Sequence, residues 1–391
     1  MLNILLSLIF IRPFISSLSY PYFDTCYSLL LIGVSLVFIK TKNLRQLSFF
    51  GQGYLFLFFL AVTSSAFFSF YPLKSMPELP KFISYFFIFL ATYSADNREK
   101  RRIIFTMILS ATALSLYAIY WFYLGSLDLL AYIENQSFSY PFVREVLNRH
   151  RAFMPFALPN LLAGHLIMVL PVSVAYLLKK NQGQPLKLNF QNVLLSLPTL
   201  LIIFTLLLTR SIGAFLSIFL AFLIFIFLSG RFNKKTFILL SLFLLAVVLI
   251  FLLRSSQTAL NWETPLFSIQ RRLIYWRQAA ADISRHPWRG IGLGNFPFIR
   301  SQFTHNSYLQ IWVESGILGI IGFLGFLCKS LKPSRIRLLS KDKLYIGIIV
   351  ANLSFLVHNL IDFSFFLPEV GLFWWIILAL FLNPSYLTSS R

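Results

Sequence analysis

IGAFLSIFLAFLIFIFLS, residues 212 to 229, runs for 18 residues without a charged side chain. At 1.5 Å per residue it makes a helix of about 27 Å, close to the ~30 Å hydrocarbon thickness of a bilayer. Lipid offers the backbone no hydrogen-bond partner, so such a run satisfies itself as a membrane helix. Outward from it the same pattern repeats, at about 3–20, 25–39, 49–68, 79–95, 103–125, 158–178, 192–209, 236–253, 306–328, 344–361 and 367–382, twelve stretches in all.

Composition carries the same reading. Of 391 residues 58% are hydrophobic and 12% charged, and the mean hydropathy is +0.75. Soluble domains carry roughly a quarter charged residues, so a water-soluble globular protein is excluded. Twelve spans of about 20 residues take up ~240 positions. That leaves room for ordered segments outside the membrane but none for a separate soluble domain, and residues 1–391 read as one integral membrane domain. The opening MLNILLSLIFIRPF lacks a basic leader and an A-x-A-like cleavage site, and reads as a retained first span rather than a signal peptide. Cys26 and Cys328 fall at ends of the second and tenth stretches that this topology puts on opposite faces, so no disulfide framework is implied.

The formal charge of +21 comes from 34 Lys plus Arg against 13 Asp plus Glu. It sits in short loops, where membrane topology already demands Lys and Arg, and a nucleic-acid partner is not implied. With the N-terminus in the cytoplasm, the even-numbered exits carry Lys40, Lys42 and Arg45; Arg98, Lys100, Arg101 and Arg102; Lys179, Lys180 and Lys187; Arg231, Lys234 and Lys235; and Lys329 to Lys343. Every one is basic, as the positive-inside rule asks, which places both termini in the cytoplasm. Residues 126–157 and 254–305 then face outward. From residue 126 onward that face carries Arg144, Arg149, Arg151, Arg210, Arg254, Arg271, Arg272, Arg277, Arg285, Arg289 and Arg300, eleven arginines and no lysine. Twelve of the fourteen lysines lie in cytoplasmic loops, Lys74 and Lys81 being the exceptions. Arginine alone offers a permanently charged planar fork that grips phosphate bidentately, whereas lysine serves topology as a point charge. Two readings stay open: composition bias with snorkelling at the interface, and an outward-facing site for a phosphate or diphosphate.

Within the second outer segment, SIQRRLIYWRQAAADISRHP predicts an amphipathic helix over about 268–286, ended by Pro287. Ile269, Leu273, Trp276, Ala280 and Ile283 form one apolar stripe; Arg272 and Arg277 flank it, while Arg271 and Arg285 point away. Lying on the bilayer with Trp276 buried, this helix would hold Arg272 and Arg277 at headgroup depth, against a carrier diphosphate or against lipid headgroups alone. WRGIGLGNF, residues 288–296, fails as a dinucleotide loop, which needs a preceding strand and a following helix. THNSYLQIWVESGILG opens the tenth stretch and puts His305 in its first turn, where the positive helix end disfavours imidazolium and leaves a ring able to accept a proton. Gly316, Gly319, Gly322 and Gly325 recur every third residue, a pattern that permits close helix packing.

Four stretches resemble the bacterial O-antigen ligase and O-antigen polymerase superfamily of polytopic glycosyltransferases. They are RAFMPFALPNLLAGHL (151–166), TRSIGAFLS (209–217), the run from Arg272-x-x-x-Trp276 through HPWRGIGLGNF to HNSYLQIWVESGILG, and HNLIDFSFFLPEVGLFWW (358–375). The resemblance covers roughly residues 150–375; the first five helices match only in hydropathy. It implies an all-α, GT-C-like polytopic membrane fold of about twelve transmembrane helices with a large outer loop. It also implies transfer of a glycan from undecaprenyl diphosphate to a saccharide or lipid A core acceptor on the outer face of the bacterial inner membrane, without metal, nucleotide or other cofactor. Carried onto this sequence, the essential histidine falls on His305 and the loop arginine on Arg272, with Arg277 as a further diphosphate contact. The arginine before the Pro-Asn motif falls on Arg149 or Arg151 and the acidic residue of the eleventh span on Asp362, with Asn160, Asn306 and Glu314 in support. Where the family reads Thr-x-Ser-Arg-Gly this chain has Thr209-Arg210-Ser211-Ile212-Gly213, a displacement of two residues, or about 200° on a helix. A polymerase acting on a second carrier-linked glycan stays open beside a ligase. A transporter fits less well, because apart from His165 the ionisable residues lie at the outer rim.

Overall fold

The computed structural model describes residues 1–42, 51–125, 151–180, 190–230, 267–297 and 301–384, with isolated positions between 234 and 248. Arg45, Arg144, Arg149, Lys187, Arg231, Lys235, Arg254 and Arg300, most of the apolar stretch at 236–253, and residues 126–150 of the first outer segment lie outside the described residues. Regular structure among the described residues is helical throughout. The helices are α1 (Leu2–Ile11), α2 (Pro21–Lys40), α3 (Gln52–Phe67), α4 (Leu79–Ser94), α5 (Asn97–Tyr120), α6 (Pro159–Lys180), α7 (Phe190–Thr209), α8 (Ile212–Ser229), α9 (Phe267–Arg285), α10 (Ser307–Ser330), α11 (Lys343–His358) and α12 (Pro368–Leu382). Five of the apolar segments, Pro21–Lys40, Asn97–Gly125, Pro159–Lys179, Ile212–Ser229 and Ser307–Ser330, are long enough to cross a membrane. Leu2–Phe14, Gln52–Phe67, Ser196–Thr209, Lys343–His358 and Pro368–Leu382 are shorter apolar helices.

Helix ends follow local chemistry. Asp96 accepts from the Arg98 and Glu99 amides while the Glu99 carboxylate accepts from the Asp96 amide, a capping box that starts α5. Asn306 and Asp342 cap α10 and α11 by accepting two amides each with the side chain alone. The first apolar stretch is interrupted: α1 stops at Ile11, and Arg12–Phe14 form a 3-10 turn. Arg12 is buried there, paired with Asp24 and with Glu369 at 3.3 Å, while Ser17 donates its amide to Glu369 at 3.1 Å.

α12 is buried along its whole length, as a helix apolar on every side must be. Trp374 and Trp375 stack among Phe58 of α3, Phe326 of α10 and Phe355 of α11. The turn that feeds α12, residues 359–367, carries Asp362 and is pinned by Tyr85 of α4, whose hydroxyl donates to the Phe365 carbonyl at 3.2 Å.

α10 is broken. Gly316 has φ 68° and ψ −168°, and the glycine-rich loop 287–295 lies in the gap. The Ile291 amide donates to Val313 O at 2.8 Å, that of Gly292 to Glu314 O at 3.1 Å, and that of Ile317 to Pro287 O at 2.9 Å. A Cβ on Gly316 would sit 2.1 Å from Trp288 O. The three-residue glycine pattern therefore divides. Gly322 and Gly325 let α10 approach Phe58 and Tyr54 of α3, as close packing requires, whereas Gly316 makes the break.

Gly316→Ala adds a clash to a left-handed backbone and should cost roughly 2–4 kcal/mol. Gly230 shares φ +68° but has nothing within 4 Å of a built Cβ, so Gly230→Ala should cost only about 1–2 kcal/mol. Thermal melts of both variants in detergent test the difference; equal losses would mean that the loop yields to the methyl group.

Candidate functional site

His305 sits just before the α10 cap, at φ 55°, not within the first helical turn. Its loop is tied down from behind. Gln310 accepts the Thr304 amide at 2.7 Å and donates to Glu314 Oε1 at 2.6 Å, and the same oxygen accepts the Gly294 amide at 3.1 Å. Glu314 thus joins the glycine-rich loop to the His305 loop and sets the position of the imidazole through Gln310. The ring stacks on Tyr275 at 5.2 Å and meets the Phe363 ring edge-on at 4.7 Å. Burial pushes its pKa down to about 4; the negative Asp362 opposes this and the positive Arg272 adds to it. The imidazole is neutral at pH 7, with burial among its aromatic neighbours the largest cause.

α9 docks through Tyr275, Ala279 and Asp282, all buried. Ala279 packs with Ile291, Phe296 and Val313, and Ile283 lies against that cluster. Ile269 and Leu273 of the apolar stripe face outward, 52% and 45% exposed, and Trp276 is half-buried. Arg271, expected to point away, is half-buried like Arg272, and Arg277 is exposed. Burial lowers the Arg272 pKa, and the Asp362 carboxylate counters it.

Asp362 lies beyond the end of α11. One carboxylate oxygen accepts the Phe363 and Ser364 amides at 2.8 and 3.0 Å. The two His-Asn pairs are stitched together by Ser307, whose hydroxyl donates to Asn359 Oδ1 at 2.6 Å and whose amide donates to Asn359 O at 2.9 Å.

The remaining arginines come from a neighbouring junction. Arg210 occupies the turn between α7 and α8, with φ 48° and its amide donating to Leu207 O at 3.1 Å. Because it lies on neither helix, the two-residue displacement is not a rotation around a helix. Arg151 donates Nε to Thr209 O at 2.7 Å and Nη2 to Asn160 Oδ1 at 3.2 Å, and Ser211 donates to that oxygen at 3.0 Å. His358 connects the two groups: its Nε2 lies 3.7 Å from Asp362, and the peptide groups of Asn160 and Gly213 border its ring.

The structure thus brings His305, Arg272 and Asp362 together and adjoins to them Arg151, Asn160 and Arg210. Glu314 stands behind this group and Arg277 outside it. Sequence reading left Tyr275, Gln310, Ser307, His358 and Asn359 without a role. The one signal for them was the second His-Asn pair at 358–359, which repeats that at 305–306.

Because the folded ring holds its proton only below about pH 4 and an unfolded chain below about 6.5, the unfolded state takes up the extra proton first. Stability should therefore fall as pH drops from 6.5 towards 4. Histidine-selective carbon-13 NMR of the folded protein, assigned with His305→Asn, should show no titration of His305 near 6.5; a midpoint there would contradict the burial argument.

No curated protein matches the chain. The family described as O-antigen ligase matches residues 197–324, a stretch that holds Arg210, Arg272, Arg277, His305, Asn306 and Glu314. Arg151 and Asn160 precede it and Asp362 follows it. Residues 197–324 are thus similar to the O-antigen ligase family, in agreement with the superfamily that the sequence motifs resemble.

Proposed function

We propose that this protein is a membrane glycosyltransferase that moves a glycan from undecaprenyl diphosphate to an acceptor hydroxyl on the outer face of the bacterial inner membrane. The observation that carries this reading is a neutral imidazole, His305, set beside a sheltered guanidinium, Arg272, and a buried carboxylate, Asp362. A base for a hydroxyl proton and a cation for a leaving diphosphate are the two groups this displacement needs.

The acceptor oxygen attacks the anomeric carbon and its proton passes to His305. As the new C–O bond forms, the bond from that carbon to the diphosphate oxygen breaks, and the carrier diphosphate leaves with the electron pair. Arg272, Arg210 and Arg151 balance its charge, with Arg149 and Arg277 as further contacts. Asn160 orients Arg151, and Asn306 and Glu314 hold the His305 loop. A single backside attack inverts the anomeric configuration. The scheme uses no metal or other cofactor.

Lipid A core as acceptor makes the enzyme a ligase, and a second carrier-linked glycan makes it a polymerase. Purified protein incubated with an undecaprenyl diphosphate-linked oligosaccharide, with and without core, separates the two: product on the core defines the ligase, and a carrier-linked ladder formed without it the polymerase. His305→Ala and Arg272→Ala should each lower transfer by about a hundredfold or more while leaving membrane insertion intact; near-normal activity removes that residue from the scheme. Because the His305 pKa lies near 4, the rate should persist below pH 6.5 and fall as pH approaches 4. Loss already at 6.5 would assign the base role to another group.

A further inference from the structure

His358, the last residue of α11, is a second imidazole at this site, 1% exposed. Two helices leave room for it with glycine. A Cβ on Gly164 of α6 would lie 3.1 Å from His358 Cδ2 and 3.2 Å from Nε2, and one on Gly213 of α8 would lie 3.9 Å from Cε1. Nδ1 faces the Ser217 hydroxyl at 3.4 Å, and that hydroxyl also reaches Gly213 O at 2.6 Å. The Ser217 proton goes to Gly213 O, so it does not set the ring; a carboxylate oxygen can only accept, and the neutral tautomer that suits Asp362 carries its proton on Nε2. Nε2 makes no hydrogen bond and faces Asp362 Oδ2 at 3.7 Å. The other Asp362 oxygen already holds two amides. A buried donor left unmet is costly, and Asp362 Oδ2 is the acceptor that faces it.

We propose that His358 is a positioning residue for the transfer reaction: donating from Nε2 to Asp362 Oδ2, it fixes the carboxylate whose charge acts on His305 and Arg272. The effect on rate rests on the glycosyl-transfer reading; the effect on the Asp362–His305 pair does not.

The test uses the full chain in lipid nanodiscs. His358→Phe keeps the volume and removes both ring nitrogens, whereas His358→Gln restores an N–H donor. Two quantities are read: the initial rate with an undecaprenyl diphosphate-linked oligosaccharide and acceptor, and the His305 titration by carbon-13 NMR. His358→Phe should lower kcat about tenfold or more with KM for the donor within about twofold. It should also displace the His305 midpoint by about one unit, in the same direction as Asp362→Asn. Gln should recover most of both. A Phe variant with wild-type kcat and an unmoved midpoint overturns the proposal. So does equal loss of rate in Phe and Gln with the midpoint unmoved, which is the mark of packing alone. If the wild-type protein gives no transfer product, the transfer reading fails and the NMR comparison by itself decides the role of His358.

Discussion

Lipid cannot hydrogen-bond a peptide group, and a membrane helix may break only where protein supplies the missing partners. α10 breaks at Gly316, and the partners come from the loop at 287–295, whose Pro287, Ile291 and Gly292 backbones pair with residues 313–317. Gly290 of that loop is needed because two backbones meet there with no space for a side chain between them. The break fixes where the loop after α9 must run, and Gln310 and Glu314 tie that loop to the segment carrying His305. The position of the imidazole is thus a consequence of how a broken membrane helix satisfies its backbone.

Buried charge imposes a second constraint. Arg12 lies out of solvent between Asp24 and Glu369 at the start of α12, and removing the guanidinium would leave two carboxylates uncompensated in an apolar interior. This cluster joins the N-terminal hairpin to α12, and the turn preceding α12 holds Asp362. The first helices resemble the family only in hydropathy, yet they support the frame on which the carboxylate is mounted. Tyr85, reaching Phe365 O from α4, acts on the same turn.

Helix positions were legible in the sequence because apolar runs are local signals; the N-caps Asp96, Asn306 and Asp342, which start helices through amides two or three residues away, are equally local. What depends on contacts across the fold was not legible. The wheel for α9 marks Ile269 and Leu273 as apolar, but it does not separate a face turned to the protein from one turned outward. The docking face is instead Tyr275, Ala279 and Asp282, and Arg271 is sheltered with it. Gly316 looked like one more packing glycine because its clash partner, Trp288 O, is distant in sequence. The enclosure of His305 by Tyr275 and Phe363, brought in from two other elements, has no local signal in the sequence. Arg210 keeps its two-residue displacement in sequence, but it lies in a turn between two helices, which a helical wheel does not describe.

Backbone conformation points to the same two residues that chemistry does. Among the described residues, Arg210 and His305 are the non-glycine positions with positive φ, at 48° and 55°. Neither arginine nor histidine adopts that conformation without cost, of order 1–2 kcal/mol, unless the surroundings impose it. Each lies at a junction of two elements: Arg210 where α7 hands over to α8, His305 where the loop enters the α10 cap. Each junction is fixed by neighbours rather than by the residue itself. Arg151 and Ala152 hold the end of α7 through Thr209 O and Leu208 O, and Gln310 and Ser307 hold the start of α10. A turn chosen for stability alone would place glycine or asparagine at such a position. The retention of a cation at one and an imidazole at the other is accounted for when the side chains, not the turns, are what the fold is built to present.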